Sequence, residues 1–269
     1  MGRIPEMYVV ALGSLKAGCV FTPLAPGSGA DALAECLSAG DARVLVTTPI
    51  LFRRTIAEML DRLPDLELVL IVGATEDSLA EALLPKSDLT PTVMSFGVFI
   101  SEGHDTFEAA PTPPDAPALL HFTSERRGDR RGVLQVHDTV VAQVASAATV
   151  LDLGRDDVYW CTAEPGSAAS TSYGMIAPLV LGVTAIVDEA EFDARRLYGI
   201  LADQSVEVLY TDADAVQLLQ RNGPAMAPAS FDRLRLVASI GEALDTTSAR
   251  RISEVFGVPV VPGPDQWPR

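Results

Sequence analysis

The chain has 269 residues, of which 48% are hydrophobic and 21% charged, and 36 acidic against 20 basic residues give it a net charge of −16. That length can bury a substantial core, as one large α/β domain or two small ones, and the composition is that of an ordinary globular protein. The acidic residues are spread along the chain, so its electrostatic field disfavours nucleic acid and anionic membrane surfaces as partners.

The sequence shows no export, membrane or disulfide pattern. Cys19, Cys36 and Cys161 lie far apart without a CxxC pair, and the three histidines are scattered, so we predict no metal site. The first ten residues, MGRIPEMYVV, lack the basic segment and apolar run of a signal peptide. The longest apolar run, 175–187, is too short to span a membrane. We therefore expect a cytoplasmic protein.

The first half of the chain alternates helical and strand patterns. Apolar residues at helical spacing predict a helix over 5–16, with Pro5 in its first turn and Gly18 after its end. Further helices are predicted near 30–38 and over 51–63, and strands over 19–24, 43–47 and 66–72. Alternation of this kind predicts a buried parallel sheet.

A proline-rich stretch interrupts this alternation. The pattern weakens after residue 73, and AAPTPPDAP at 109–117 holds four prolines in nine residues. Such a sequence is stiff and extended, so it predicts a connector between two subdomains. The first, partial α/β subdomain covers 1–108 and the second covers 118–269.

The second half resumes the alternation. Strands are predicted over 118–123, 133–136, 158–162, 183–187, 206–210, 234–239 and 258–261. Helices are predicted over 139–151, 171–181, 193–203, 212–221 and 246–255. Together the two halves predict an α/β fold with doubly wound parallel sheets.

A loop with the frame of a phosphate site follows the strand at 118–123. A strand that ends in Thr-Ser and opens into a glycine-containing loop presents backbone N–H groups and hydroxyls to an anion. In HFTSERRGDRRGV (121–133), Thr123, Ser124, Gly128 and Gly132 supply this frame.

Charged residues fill the rest of that loop. Glu125 occupies a position where glycine would allow close backbone approach to a phosphate. Arg126, Arg127, Arg130 and Arg131 can hold a phosphate through charge-assisted hydrogen bonds, each worth about 1.5 to 3 kcal/mol. A loop so rich in charge is also typical of a solvated surface, so spacing alone leaves both interpretations open.

Three further segments extend the pattern: GRIPEMYVVALGSLKAGCVFTPL (2–24), DVYWCTAEPGSAASTSYGMIAPLVLGVTAIVDEAEFD (157–193) and ASIGEALD (238–245). Together with the loop, which is similar to Thr-Ser-Gly-Ser/Thr-Thr-Gly-x-Pro-Lys-Gly, they resemble the AMP-forming acyl-CoA synthetases of the adenylate-forming superfamily. The second segment resembles the acetyl-CoA synthetase branch, and the third its Gly-Glu-Pro-Leu adenine-contact segment. The resemblance covers most of the chain and implies the fold of the large N-terminal domain of these enzymes.

The resemblance implies nucleotide-binding residues and ligands. The implied set is Thr123, Ser124, Gly128, Arg131, Gly132, Gly241 and Glu242, with Arg126 and Arg127 as further phosphate contacts. ATP or AMP is the implied nucleotide, and acyl-adenylate or CoA are further ligands. No catalytic residue and no metal ligand is carried over.

Several positions depart from the family pattern. Arg131 replaces the lysine of the loop, which keeps the charge but changes the geometry. Residues 167–170, Ser-Ala-Ala-Ser, stand where the acetyl-CoA synthetase branch has Trp-Val-Thr-Gly, so the walls that resemble its acyl pocket are altered. Ala243 replaces the proline of Gly-Glu-Pro.

The last residues, PDQWPR (264–269), correspond to the start of the family's Asp-x-Trp-Trp-Gln-Thr-Glu segment. The magnesium-associated Glu, the ribose-binding Asp and the C-terminal domain with its catalytic Lys have no counterpart. We therefore expect a shortened homologue, a pseudoenzyme that binds no Mg²⁺ without a partner and does not adenylate by itself.

Three functions remain open at this point. The favoured one is a binding or regulatory protein for adenine nucleotide, acyl-adenylate or CoA. The second is an enzyme that a partner subunit completes. The third is a structural subunit without a ligand, which could pair with another protein or form a homodimer.

Overall fold

A computed structural model describes residues 1–75, 91–124, 130–190, 193–212, 215, 231–241 and 246–266. The chain divides into two compact units, Met1–His137 and Asp138–Arg269. Both contain parallel sheets with helices, so the predicted α/β fold class is confirmed. None of the helices within the described ranges has the length and apolar character needed to cross a membrane.

The first unit begins with two helices, α1 (Pro5–Lys16) and α2 (Ala30–Ala39). Its strands are β1 (Val44–Thr47), β2 (Leu68–Ile71), β3 (Thr92–Ser95), β4 (Pro117–Ser124) and β5 (Arg130–Val136). Between β1 and β2, the short α3 (Pro49–Leu51) continues into a π-helical turn (Phe52–Ile56), and a 3₁₀ turn (Leu60–Arg62) follows. Helix α4 (Phe96–Ser101) comes directly after β3.

The three-stranded sheet of this unit is parallel, in the order β1-β2-β3. Successive residues of its central strand β2 face opposite sides of the sheet. Val69 and Ile71 pack in a cluster with residues of α2 and of the π-helical turn, whereas Leu70 packs with Val72 and Phe96 on the other side. Both faces of β2 are therefore covered, as the continuous apolar sequence LVLI requires.

Strands β4 and β5 form a separate antiparallel hairpin. The predicted strand at 19–24 is wrong, because that segment makes only an isolated parallel bridge between Phe21 and Leu119. The Phe21 N–H donates to the Ala118 carbonyl, and the Leu120 N–H donates to the Phe21 carbonyl. These two hydrogen bonds pair the N–H and the carbonyl of Phe21 with one edge of β4, but the pairing does not continue along the segment as a strand.

Two further sequence predictions need correction in this unit. The helix predicted over 51–63 is broken into the π-helical and 3₁₀ turns, although Phe52, Ile56 and Met59 are all buried as their helical spacing indicates. Strand β3 and helix α4 lie in the region where the sequence pattern weakens. Strand β3 is short and owes its conformation to pairing with β2, which sequence periodicity does not report.

The proline-rich stretch at 109–117 lies within the first unit. The Ala110 N–H donates to the Lys16 carbonyl at the end of α1, and the His137 N–H donates to the Ala116 carbonyl. The division into subdomains about this stretch stays a prediction.

The second unit contains the five remaining strands, β6 (Val158–Cys161), β7 (Thr184–Ile186), β8 (Val208–Asp212), β9 (Leu236–Ile240) and β10 (Val260–Pro262). Its helices are α5 (Thr139–Val150), α6 (Ala168–Thr171), α7 (Ala177–Leu181), α8 (Ala194–Asp203) and α9 (Thr246–Phe256). A π-helical turn (Ser172–Ile176) joins α6 to α7, and a 3₁₀ turn (Pro264–Gln266) follows β10. Of the helix predicted over 212–221, most residues lie outside the described ones.

The five strands are all parallel, in the spatial order β7-β6-β8-β9-β10. The chain runs outward from β6 to β7 and then returns to the other side of β6 to form β8. The gap between β6 and β8 is therefore the point where the strand order reverses. In sheets of this kind ligands bind outside the carboxyl ends of the strands at that point.

Helical residues cover this sheet between β6 and β7. The predicted helix over 171–181 begins three residues earlier, because the Ser167 hydroxyl caps it by accepting a hydrogen bond from the Ser170 N–H at 3.1 Å. Gly182 ends it in the left-handed conformation, with φ of 71°. Gly174 lies close to β6, where a Cβ would stand 3.2 Å from Cys161 Sγ.

Charged side chains join the amino ends of three strands of the same sheet. Arg235, just before β9, donates to Asp157 at 2.7 Å and to Asp152 at 3.0 Å. Glu207, just before β8, accepts from the Val158 N–H at 3.1 Å. The charges thus connect the chain segments that lead into β6, β8 and β9.

Asp157 is the more protected of the two acids that pair with Arg235, with a side chain 13% exposed against 82% for Asp152. Burial raises the pKa of the Asp157 carboxyl, but hydrogen bonds from Arg235 and from the Gly154 N–H outweigh that effect, and the pKa lies below its ordinary value. Hydrogen bonds to charged groups in such settings contribute about 1.5 to 3 kcal/mol.

We expect Asp157→Asn to lower the free energy of unfolding by about 2 kcal/mol, because the amide loses the charge that Arg235 pairs with. The matched control Asp152→Asn should change it by less than about 0.5 kcal/mol, since an exposed ion pair is largely screened. Urea unfolding of the three proteins at neutral pH measures both values. Equal losses of stability in the two variants would show that the buried partner of Arg235 contributes no more than the exposed one.

Candidate functional site

The candidate phosphate site lies at the end of the β4/β5 hairpin that adjoins residues 125–129, the segment between the two strands. Thr123 stands directly opposite Arg131 in the register, and both residues are exposed. The Thr123 hydroxyl donates to the Arg131 carbonyl at 3.4 Å, a long hydrogen bond that leaves the hydroxyl able to turn to a ligand. A hydroxyl and a guanidinium thus share one face of the hairpin.

The side chains of Arg130 and Arg131 point to opposite faces of the hairpin, because neighbouring residues of a strand alternate in direction. Arg130 lies beside Cys36 of α2. Burial raises the pKa of the Cys36 thiol, and the nearby guanidinium of Arg130 opposes that rise. Arg131 points to the other face of the hairpin, with Thr123. Of these two predicted cations, only Arg131 shares a face with the Thr123 hydroxyl.

Gly132 has a packing role in the hairpin. A Cβ at this position would stand 3.2 Å from Leu120 Cδ1 and 3.4 Å from Phe122 Cε1. The glycine therefore allows two apolar side chains of β4 to lie over β5. This is a different reason for a glycine from the close approach to phosphate that the sequence predicts.

Five predicted site residues lie wholly, or with their side chain, outside the described part of the chain: Ser124, Arg126, Arg127, Gly128 and Glu242. Ser124 is the last residue of β4, and its backbone pairs with that of Arg130. The other four lie outside the described residues altogether.

Gly241, the remaining predicted residue, lies directly after β9, at the carboxyl edge of the five-stranded sheet. It is exposed and adopts the left-handed conformation, with φ of 77°. Its N–H donates to Asp265 Oδ2 at 2.7 Å. The structure thus pairs a predicted nucleotide-contact residue with an acid that sequence reasoning did not select.

Asp265 also accepts a hydrogen bond from the buried side of the sheet. Its Oδ1 lies 2.5 Å from the hydroxyl of Tyr210, a residue of β8 that is fully buried. Burial and this hydrogen bond both raise the pKa of the Tyr210 phenol. The ring of Tyr173 meets Tyr210 edge to face, with centroids 5.8 Å apart.

Hydrogen bonds join the ends of β6 and β8 at the point where the strand order reverses. Thr162 follows β6 and Thr211 belongs to β8, and their hydroxyl oxygens lie 2.6 Å apart while both residues are buried. The Thr162 N–H donates to the Tyr210 carbonyl. Among the residues that the structure describes, no group of three or more His, Cys, Asp or Glu side chains is placed to hold a metal ion.

A family model for AMP-binding enzymes matches residues 1–263. The chain belongs to the AMP-binding enzyme family. It is 33% identical to the acetyl-coenzyme A synthetase of Bacillus subtilis over 258 residues, which is 95% of this chain and 42% of that protein. It is 28% identical to the acetyl-coenzyme A synthetase of Pyrobaculum arsenaticum, covering 94% of this chain and 39% of that protein.

Solved structures show the same fold. A Brucella canis acyl-CoA synthetase superposes with a TM-score of 0.83 at 24% identity, over 98% of this chain and 46% of that chain. An anthranilate CoA ligase in complex with anthranoyl-AMP superposes with a TM-score of 0.75 at 20% identity, over 87% of this chain and 43% of that one. The chain thus spans less than half the length of these relatives.

The comparisons confirm the resemblance to the acetyl-CoA synthetase branch and the predicted fold of its N-terminal portion. The site residues stay predictions. The structure brings Thr123 and Arg131 together at the hairpin, and it places Gly241 beside Asp265 and Tyr210. The signal for Asp265 was present in the sequence, since it stands at the Asp of the family's Asp-x-Trp segment.

His121 is an unusual residue on the same face of the hairpin as Thr123 and Arg131. It is 3% exposed, and neither ring nitrogen has a hydrogen-bond partner among the described residues. Burial lowers its pKa from 6.5 to about 4. A neutral, buried imidazole therefore supports the strand that carries the candidate phosphate contacts.

This burial predicts a loss of stability in mild acid. Because the folded pKa is lower than the unfolded one, the unfolded chain takes up the proton first, and stability falls as the pH drops from about 6.5 toward 4. Between pH 7 and pH 5 this residue should cost about 2 kcal/mol, at roughly 1.4 kcal/mol for each pKa unit.

Measurement of unfolding by urea at the two pH values tests this expectation. His121→Leu should flatten the pH dependence by that amount, whereas His104→Leu, which changes an exposed histidine of the same unit, should leave it as it is. The same slope in the His121 variant and the unaltered chain would show that the buried imidazole is not responsible.

Proposed function

We propose that this acetyl-CoA-synthetase-like protein binds an adenine nucleotide or an acyl-adenylate, and that it does not complete adenylation alone. The observation that carries the proposal is the pairing of Thr123 with Arg131, both of them exposed, at the end of the hairpin that adjoins residues 125–129. A hydroxyl and a guanidinium in this arrangement offer both a neutral and a charged donor to a phosphate.

The family membership supports the nucleotide as the source of that phosphate. The second unit adds an independent feature, because its sheet has the strand order whose carboxyl edge takes nucleotides in other doubly wound folds. Gly241 lies at that edge, after β9. CoA is a further ligand that the relatives' names suggest, and it shares the adenine nucleotide chemistry.

The loop sequence supports binding without self-sufficient catalysis. Glu125, Arg126 and Arg127 replace the small residues of the family loop, and Arg131 replaces its lysine. A lysine reaches a phosphate as a compact point charge, whereas an arginine holds it as a planar fork, so the exchange alters the geometry. Phosphoryl chemistry depends on positioning and electrostatic stabilisation, and altered geometry weakens both.

Calorimetric titration with ATP and Mg²⁺, AMP, a non-hydrolysable acyl-adenylate analogue and CoA tests the proposal. We expect micromolar binding of at least one of them. Arg131→Ala should weaken that binding at least tenfold, because a charge-assisted hydrogen bond contributes about 1.5 to 3 kcal/mol. Arg130→Ala is the matched control, since its guanidinium lies beside Cys36, and it should change the affinity less than twofold.

Two outcomes would contradict the proposal. If folded protein gives no heat with any of the four ligands, the nucleotide function is wrong, and a role as a structural subunit becomes the better account. If Arg130→Ala and Arg131→Ala weaken binding equally, the phosphate does not use the face of the hairpin that carries Thr123.

A further inference from the structure

One side of the three-stranded sheet in the first unit carries an exposed apolar surface. Helices α1 and α4 both cover this side, because Val10 of α1 and Phe96 of α4 pack in one cluster with Leu70 of β2. Other large apolar side chains on the two helices and in the segment after α4 remain 40% to 60% exposed. This apolar surface consists of Val9, Leu12, Val98, Phe99, Ile100 and Phe107.

The exposed side of α1 is apolar for most of its length. Met7 and Ala11 are buried one helical turn apart, and Val9 and Leu12 lie on the opposite side of the helix. The side of a helix that faces away from the core is usually polar or charged. On α1 the basic residue Lys16 comes only in the last turn. An exposed apolar helix side of this kind is typical of a surface that binds another molecule.

Phe107 is held beside the end of α1. The Lys16 Nζ lies 5.8 Å from the centroid of the Phe107 ring, and the Ala110 N–H donates to the Lys16 carbonyl at 2.8 Å. A cation over an aromatic ring is attracted to it, so the ring has a preferred position although it is exposed. Within the described ranges, Phe99 and Phe107 are the exposed phenylalanines, and both belong to the apolar surface. Aromatic side chains are enriched at protein interfaces.

Four acidic residues lie next to the apolar surface in the sequence. They are Glu6, Glu102, Asp105 and Glu108. Their carboxylates have no ion-pair or hydrogen-bond partner among the residues that the structure describes. Elsewhere in this unit Asp31 pairs with Arg62, and Glu67 pairs with Arg43. Unpaired carboxylates beside an apolar surface favour a partner that brings cations to them.

The same acids disfavour a second copy of this chain as that partner. In a two-fold dimer the apolar surface would face itself, so the carboxylates of one copy would approach those of the other. The net charge of −16 adds a repulsion at longer range. A partner with basic residues replaces this repulsion by attraction.

We propose that the apolar surface docks an amphipathic helix of another protein, in which an apolar stripe is flanked by lysine or arginine. Helices that cover a sheet present ridges and grooves into which a further helix packs. Apolar side chains that repeat at helical spacing are the usual anchors in such recognition. Phe99 and Phe107 receive the apolar stripe, and the acids pair with its flanks. The surface includes no residue of the candidate phosphate site, so the proposal holds whether or not the chain binds a nucleotide.

Two labelled amphipathic helical peptides serve as probes in fluorescence anisotropy titrations. One has a leucine stripe flanked by lysines, and the other has the same stripe flanked by glutamates. We expect the lysine peptide to bind at micromolar concentration and the glutamate peptide to bind about tenfold more weakly or less. The double variant Phe99→Ser, Phe107→Ser should weaken binding of the lysine peptide about tenfold, because it removes both anchors.

Control variants separate this surface from general attraction to an acidic protein. Ile50 in α3 is 60% exposed but lies outside the apolar surface, so Ile50→Ser should leave binding within about twofold. Asp105→Asn with Glu108→Gln should weaken binding about threefold, whereas Glu58→Gln, at an exposed acid elsewhere in the unit, should not. All these positions are exposed, so each variant should keep the unfolding temperature of the unaltered chain, which thermal unfolding checks.

Sedimentation velocity decides between another protein and a second copy. We expect the unaltered chain to be a monomer. A dimer that dissociates in the double phenylalanine variant would show that a second copy occupies the surface, and the proposal would be wrong. The proposal is also wrong if neither peptide binds, if both peptides bind equally, or if the double variant binds the lysine peptide as tightly as the unaltered chain does.

Discussion

Parallel pairing is the constraint on which the second unit depends. It places the amino ends of all five strands at one edge of the sheet and their carboxyl ends at the other. Each edge must then satisfy backbone and side-chain groups that the ladder leaves unpaired. The two edges of this sheet do so with different chemistry.

The amino edge is closed by paired charges. Arg235 is shared by Asp157 and Asp152, and Glu207 accepts a backbone N–H from the start of β6. These groups are occupied with one another, so this edge has a stabilising role. At the carboxyl edge, by contrast, Asp265 is exposed, while one of its partners, Tyr210, belongs to β8 and the other, Gly241, directly follows β9. A polar group that is both anchored and exposed is what a binding edge needs.

Sequence periodicity alone predicted the bounds of elements whose apolar residues recur at regular spacing. Helix α1 has the predicted bounds, and α9 ends one residue beyond the predicted helix over 246–255. Elements whose conformation depends on a neighbour were missed or misjudged. Strand β3 needs β2, and the segment around Phe21 pairs with Leu119 at a single bridge instead of forming a strand. Tertiary contacts of this kind leave no periodic signal in a short segment.

For the candidate site, too, the sequence predicted one part and the structure was needed for the other. The Thr-Ser motif and the glycines identified the loop and the strands on either side of it, but not their antiparallel pairing. The number of arginines overstated the cations of the site, because strand alternation sends Arg130 toward Cys36. The register of β4 and β5 was needed to see that Arg131 shares a face with Thr123. The hydrogen bonds of Asp265 required the structure for a similar reason, since its partners Gly241 and Tyr210 lie 24 and 55 residues away along the chain.

The hairpin register also indicates how a phosphate would be held in this chain. The ladder continues to the pair of Ser124 with Arg130, so β4 and β5 are paired up to the last described residues before the loop. In a two-stranded ladder the backbone groups that face the partner strand are paired, whereas the others point sideways in the plane of the hairpin. The Thr123 hydroxyl and the Arg131 guanidinium instead belong to one face of the hairpin, so a phosphate on that face would meet these side chains. Binding there would rely on the fork of one arginine rather than on a backbone cradle, and this favours recognition of a phosphate over its activation.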